Sequence, residues 1–327
     1  MPLQRPLHEA VVVITGASSG IGSATAHELA ARGATVVLAA RGADALQTVA
    51  DDCRRLGGRA LAVPTDVADP DQMQNLAARA AAEFGHVDAW VNNAAVSVYG
   101  LTDQVPAEEF RRVVEVNLLG TAYGVQAAIP HLIAGGGGVL INNASALAEV
   151  TMPYQAAYNA AKHGVRGLSD TVRQELRVSG HREVSVCTVL PATIDTPFFR
   201  TAANHTGRAL RPPPPVYPPE LVARAIARLL THPRREVYAG RAAALLGASW
   251  RLLPGVTERV LGAYAARAQF RRGTAPVSSG NLFEPRAQAE PNGRWGARRH
   301  PLRTTAAVGV AAGAAAALAR RRVRQRG

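Results

Sequence analysis

Tyr158 and Lys162 stand four residues apart in a segment patterned as a helix, so both side chains leave the same face. A phenol with a pKa of about 10 is a poor acid or base near neutrality. An ammonium beside it stabilises the phenolate, lowers that pKa and suits the pair to general acid–base work. Lys162 is also the only lysine among 37 basic residues; the other 36 are arginines. A planar guanidinium does not replace a compact point charge, so a lone lysine beside a tyrosine marks a candidate site. Ser145, thirteen residues before Tyr158, ends an apolar run that reads as a strand. Taken singly, a helix-surface tyrosine, a solvated lysine and a helix-capping serine are ordinary. Together they make an acid–base constellation.

A second constellation lies near the N-terminus. TGASSGIG, residues 15–22, directly follows VVVIT at 11–15. Gly16 allows a tight turn, Gly20 close backbone approach, and Gly22 close packing of the next helix. The free N–H groups of that helix suit a pyrophosphate, so the turn reads as a dinucleotide site.

The elements that must position these groups alternate. Strands are expected at 11–15, 35–40, 60–63, 87–94, 137–145, 183–191 and 236–239. Helices are expected at 21–31, 43–56, 70–84, 107–133 with an interruption near Pro130, 154–179 and 220–230. Strands and helices in this alternation imply right-handed crossovers and an α/β fold with a doubly wound parallel sheet, whose carboxyl edge binds ligands. The pattern lapses over 192–219, which holds Pro212–Pro215 and is long enough to be a mobile lid. Residues 241–270 read as an amphipathic helical extension broken at Pro254-Gly255. Residues 271–301, rich in Arg, Gly, Pro, Ser and Asn, are expected to be disordered.

Residues 8 to about 240 resemble a classical short-chain dehydrogenase/reductase, a single-domain Rossmann enzyme. The resemblance rests on TGASSGIG, Asp66 in TDV, NNA at 92–94, Asn117 in EVNLLG, Ser145 and YNAAK at 158–162. It implies that Tyr158 is the general acid/base and that Ser145 hydrogen-bonds the substrate oxygen. Lys162 would bind the nicotinamide ribose and tune Tyr158, and Asn117 would hold a water that relays protons to solvent. Asp66 would contact the adenine amine, and Asn92 and Ala94 would line the cofactor cleft. The cofactor contacts so implied are Gly16, Ser18, Ser19, Gly20, Ile21, Gly22, Arg41, Asp66, Val67, Asn93, Ala94, Tyr158, Lys162, Pro191, Ile194 and Thr196. A homodimer or homotetramer packed through 107–133 and 154–179 also follows from the resemblance. Two positions depart from the pattern: Ala95 and Ala192 stand where the family has glycine, which matters only if φ must be positive there.

The strand at 35–40 bears on the cofactor. Its end reads TVVLAAR, with neutral Ala40 where an acid would favour NAD(H) and with Arg41 next. An arginine at this place accommodates a 2′-phosphate, so NADP(H) is expected over NAD(H). Ala146, Leu147, Val150, Met152, Phe198 and Phe199 would give a largely apolar substrate pocket. The expected activity interconverts a carbonyl and a secondary alcohol on a lipophilic small molecule. The competing reading is a dinucleotide-binding scaffold without turnover, acting as a sensor or interaction module.

Charge and composition narrow the rest. The net charge is +13, but residues 271–327 hold twelve Arg and two Glu, so the first 270 residues carry only +3. The basic character belongs to a tail and does not argue for nucleic acid. Nine histidines lack ligand spacing and no metal is expected; Cys53 and Cys187 form no disulfide framework and fit a reducing, cytoplasmic setting. MPLQRPLHEA has no apolar core of a secretory signal. The uncharged stretch 304–319 would span about 24 Å as a helix, short of the roughly 30 Å hydrocarbon core. A tail in solution is therefore the leading expectation. Peripheral contact with anionic lipid, through the basic tail and 241–270, is the alternative.

Overall fold

Val11–Thr15 (β1), uncharged and β-branched throughout, is buried at every residue. A strand like this needs a neighbour on each edge and helices over both faces. The structure, a computed structural model that describes residues 2–285 and 289–296, provides both. After β1 the chain runs through α1 (Gly20–Ala30), β2 (Thr35–Ala40), α2 (Ala43–Arg55), β3 (Arg59–Pro64) and α3 (Pro70–Phe84). Next come β4 (Ala89–Asn92), β5 (Val98–Tyr99), α4 (Ala107–Val114), α5 (Gly120–Ala134), β6 (Gly138–Asn143) and α6 (Ala156–Val178). Then follow β7 (Val184–Pro191), α7 (Phe198–Thr201), β8 (Ala203–Asn204), β9 (Arg208–Leu210) and α8 (Pro219–Thr231). Last are β10 (Glu236–Ala239), α9 (Arg241–Leu252), α10 (Pro254–Ala268) and β11 (Phe270–Thr274).

Seven strands form one parallel sheet in the order β10-β7-β6-β4-β1-β2-β3. Alternate residues of β1 face opposite layers. Val11 and Val13 pack with Val37, Trp90 and Leu132, while Val12 and Ile14 pack with Val36, Leu38 and Ile226. The doubly wound α/β reading is thus correct. The chain leaves β1 toward β2 and β3, then returns to place β4 on the other side of β1. That reversal opens a crevice at the carboxyl ends of β1 and β4, where such folds take their ligands.

Three differences from the sequence reading matter. The interruption expected near Pro130 lies elsewhere: Pro130 sits inside α5, and Glu115–Leu119 form a π-helical turn between α4 and α5. The wider turn inserts Asn117 into the interior. The disorder expected for 271–301 does not hold for 271–285 and 289–296. There β11 pairs antiparallel with β9, and Leu282 is fully buried. This polar segment is held through its backbone. Third, α9 packs against β10 and the turn after β6, and α10 packs on α9 and β11. The stretch 304–319 lies outside the described residues; among those described, no helix is long and apolar enough to cross a membrane.

Candidate active site

The turn after β1 and the loop after β4 are locked to one another. Thr15 Oγ1 accepts from the backbone N–H of Asn93 (2.9 Å) and Ala94 (3.2 Å), and Asn93 Nδ2 donates to the Thr15 carbonyl at 3.0 Å. Only glycine fits the turn. Gly16 has φ +65°, and a Cβ there would lie 2.7 Å from the Ala94 Cα; one on Gly22 would lie 2.1 Å from the Gly16 carbonyl oxygen. The result is a backbone cradle free of side chains at a helix N-terminus, which fits the pyrophosphate of a dinucleotide, although its Gly20 N–H already donates to the Glu290 carbonyl at 3.2 Å. Around it opens a cavity of about 820 Å³ lined by every expected cofactor position except Asn92 and Gly22, the latter instead letting α1 pack on the turn.

Ser145, Tyr158 and Lys162 line the same cavity. Ser145 follows β6 and caps a single 3-10 turn, its Oγ accepting from the Leu147 N–H at 3.0 Å. Tyr158 and Lys162 share a face of α6. The Lys162 ammonium donates to the Asn143 carbonyl at 2.8 Å and lies 5.6 Å from the centre of the Tyr158 ring. Against the depression expected from the neighbouring ammonium, burial pushes Tyr158 up to about 12, while a hydrogen bond from Ser145 pulls it down. Burial also pushes Lys162 down to about 7. At neutral pH the phenol is therefore held in its protonated form.

Two asparagines make contacts within the protein. Asn117 is wholly buried and does not line the cavity; its side chain accepts from the Val96 N–H and donates to the Val96 carbonyl, both at 2.9 Å. It therefore positions the loop after β4. Asn92 turns away from the cleft to Trp90 Nε1 (2.8 Å) and Asn142 (2.9 Å), leaving Asn93, Ala94 and Ala95 to line it. Neither Ala95 nor Ala192 has positive φ, since Tyr154 and Arg294 are the only non-glycine residues with positive φ among the described residues. The two methyl groups are accommodated without strain.

On the substrate side Ala146, Leu147, Met152, Phe198 and Phe199 line the cavity as expected; Val150 is buried behind them. Tyr99, fully buried in the fold, also reaches it. The far wall is α9 and α10, through Leu245, Leu246, Leu252, Val256, Val260 and Tyr264. The amphipathic pattern of 241–270 thus serves the cavity. A polar knot fastens α9 beside Ser145: Glu149 accepts from Tyr238 Oη at 2.6 Å and pairs with Arg251 at 2.6 Å. Gly247 permits this approach, because a Cβ there would lie 2.4 Å from Glu149.

At the adenosine end, Asp66 is ion-paired to Arg112 and accepts from the Ala68 N–H at 3.0 Å. Arg41 donates to the carbonyls of Asn281 (2.6 Å), Leu282 (2.9 Å) and Phe283 (3.0 Å). These partners carry no sequence signal, because any residue supplies a carbonyl. Among the described residues no cluster of three His, Cys, Asp or Glu is placed to hold a metal ion.

Comparison with known proteins agrees with this geometry. The family model described as short chain dehydrogenase matches residues 10–206. The uncharacterized oxidoreductase YxnA of Bacillus subtilis is 38% identical over 262 residues, covering 79% of this chain and 72% of that one. Cyclohexanol dehydrogenase of an Acinetobacter species is 35% identical over 222 residues, covering 68% and 87%. Among solved structures, an alcohol dehydrogenase from Thermococcus sibiricus complexed with 5-hydroxy-NADP superposes with a TM-score of 0.62 at 28% identity, over 70% of this chain and 95% of that one. With the glycine cradle at the β1–β4 crevice and Ser145, Tyr158 and Lys162 in one cavity, this chain is an oxidoreductase of the short-chain dehydrogenase/reductase family.

Proposed function

We propose that the enzyme interconverts a ketone and a secondary alcohol on a neutral, lipophilic substrate, with NADP(H) preferred over NAD(H) and Tyr158 as general acid/base. The observation that carries this reading is the shared cavity of Ser145, Tyr158 and Lys162 beside the glycine cradle. The bound nicotinamide supplies or accepts the hydride. The protein's part is to hold the substrate oxygen between Ser145 and Tyr158 and to move a proton at the phenol oxygen. Burial holds the phenol in its protonated form, the form that gives a proton to a carbonyl oxygen, and the hydrogen bond from Ser145 lowers its pKa toward the range that general acid catalysis needs. Lys162 serves as a point donor toward the ribose.

The wall chemistry supports a neutral substrate. Among the described residues, Arg41, Asp66 and Lys162 are the only charged side chains on the cavity. Arg41 and Asp66 belong to the adenosine end and Lys162 to the base of α6. A carboxylate among Leu246, Val256 and Phe198 would be buried without a counter-charge, which costs several kcal/mol. The similarity to a cyclohexanol dehydrogenase is consistent with a neutral cyclic alcohol of that class. For the cofactor, neutral Ala40 and cationic Arg41 favour a 2′-phosphate. A homodimer or homotetramer packed through α4, α5 and α6 goes with this reading and is tested by sedimentation of the full chain.

NADP⁺ reduction should be measured with cyclohexanol, larger neutral secondary alcohols and 3-hydroxybutyrate. The neutral compounds should lead in kcat/KM by at least about tenfold, roughly 1.4 kcal/mol. A preference for the hydroxy acid would overturn the substrate class, and no turnover across a wide carbonyl panel would favour a non-catalytic scaffold.

A further inference from the structure

The family match ends at residue 206, yet a segment far beyond it borders the cavity and bonds to the glycine turn and to Thr196. After β11 the chain turns back across the carboxyl edge of the sheet. Ser279 Oγ donates to buried Glu109 at 2.7 Å, and the Leu282 side chain is fully buried. Arg112 Nε donates to the Leu282 carbonyl at 3.1 Å, while its Nη2 pairs with Asp66. Asn281 and Pro285 face the cavity itself. Residues 289–296 then reach the glycine turn. The Glu290 carbonyl accepts from the Gly20 N–H at 3.2 Å, and its carboxylate pairs with Arg200. Gly293 and Trp295 donate backbone N–H groups to Asp195 Oδ1 at 3.0 and 3.1 Å, and Trp295 Nε1 donates to the Thr196 carbonyl at 3.2 Å.

We propose that residues 275–285 and 289–296 are the outer wall of the dinucleotide site: the first part presents Arg41 to the cofactor and the second fastens the glycine turn to the 194–200 segment, retaining bound dinucleotide. The inference rests on the reading of the cleft as an NADP(H) site. Arginine has five N–H donors. The carbonyls of Asn281, Leu282 and Phe283 take three of those on Arg41, leaving one donor on Nε and one on Nη2. Carbonyls carry no net charge, so the guanidinium keeps its full attraction for an anion while its orientation is fixed. A side chain ordered before binding loses less entropy when a phosphate arrives. At the other end, one short stretch bonds both to Gly20 and to Asp195-Thr196. Opening the cleft from this side therefore requires these bonds to break together, which slows cofactor release.

The two parts give separable signatures in the full-length chain. Gly280 has φ +55°, and a Cβ there would lie 2.2 Å from the Thr201 carbonyl oxygen, so Gly280→Val lifts the part that holds Arg41. A Cβ on Gly293 would lie 2.3 Å from the Thr196 carbonyl oxygen, so Gly293→Val lifts the part on the glycine turn. Hydrogen exchange of 275–296 confirms that each variant has loosened the segment in an otherwise folded chain. NADPH and NADH dissociation rates are then read by stopped-flow fluorescence. Gly293→Val should speed release of both cofactors by at least about tenfold, with KM for the cofactor changing more than kcat. Gly280→Val should speed NADPH release more than NADH release, shrinking the preference several-fold. Release rates within twofold of the unmodified protein, or slower release from loosened variants, would overturn the proposal while leaving the cleft's assignment intact. An unmodified protein that binds neither nucleotide would overturn both.

Discussion

Lys162→Met should make the protein more stable in buffer without nucleotide, and most so at acid pH. Lys162 is 3% exposed and makes one hydrogen bond, to the Asn143 carbonyl at 2.8 Å. No carboxylate pairs with it among the described residues, and burial alone pushes its ammonium from 10.5 down to about 7. Below pH 7 both states carry the charge, but the folded state carries it out of water. Between about 7 and 10.5 the unfolded chain binds the additional proton, so stability rises with pH across that window. At about 1.4 kcal/mol per pKa unit, the burden at pH 6 is on the order of 4–5 kcal/mol. Methionine removes it and forfeits about 1 kcal/mol of hydrogen bond. The net gain, roughly 3–4 kcal/mol at pH 6, should fall to about 1 kcal/mol at pH 9. Urea unfolding followed by circular dichroism at both pH values, with unchanged m-values, reads the difference. A destabilised variant at pH 6, or a difference that does not vary with pH, would refute the claim that a counter-charge-free ammonium is buried beside Tyr158.

Other outcomes follow from the same geometry. Gly22→Ala puts a methyl 2.1 Å from the Gly16 carbonyl and should weaken NADPH binding by at least about tenfold in a fluorescence titration, with the fold retained. The double change Ala40→Asp and Arg41→Ser should reverse the NADPH over NADH order in kcat/KM; an unchanged order would remove Arg41 from phosphate recognition. Ala95→Gly and Ala192→Gly should each leave kcat/KM within about twofold, since neither position has positive φ. A large gain from either glycine would mean that the loop strains to hold its methyl.

Much of the site is legible in the sequence because its chemistry depends on local spacing. Tyr158 and Lys162 share a face by helix geometry alone, and Gly16, Gly20 and Gly22 mark turn positions that tolerate no side chain. Legibility ends where tertiary packing decides. The apolar face of 241–270 reads alike whether it meets lipid or lines a cavity, and only the fold brings Leu246 and Val256 to the cavity that Ser145 lines. Asn92 and Asn93 are adjacent and chemically identical, so which one faces the cleft depends on strand register. The spacing puts a cation beside Tyr158 and so implies a lowered pKa, whereas burial, which is not local, raises it. Residues 271–296 look unstructured by composition. Beside the side chains of Ser279, Leu282 and Trp295, many of their anchors are carbonyls and N–H groups of the backbone, such as those of Leu282, Glu290 and Gly293, which every residue type supplies.

The central claim is that a proton moves at the Tyr158 phenol oxygen. Tyr158→Phe removes that oxygen and preserves the ring that packs edge-on against Phe198 at 5.5 Å. With a ketone that the unmodified enzyme reduces, single-turnover NADPH oxidation should slow by about 10²–10⁴-fold. NADPH affinity measured by calorimetry should stay within about twofold. A phenylalanine variant that reduces the ketone within tenfold of the unmodified rate would contradict the account.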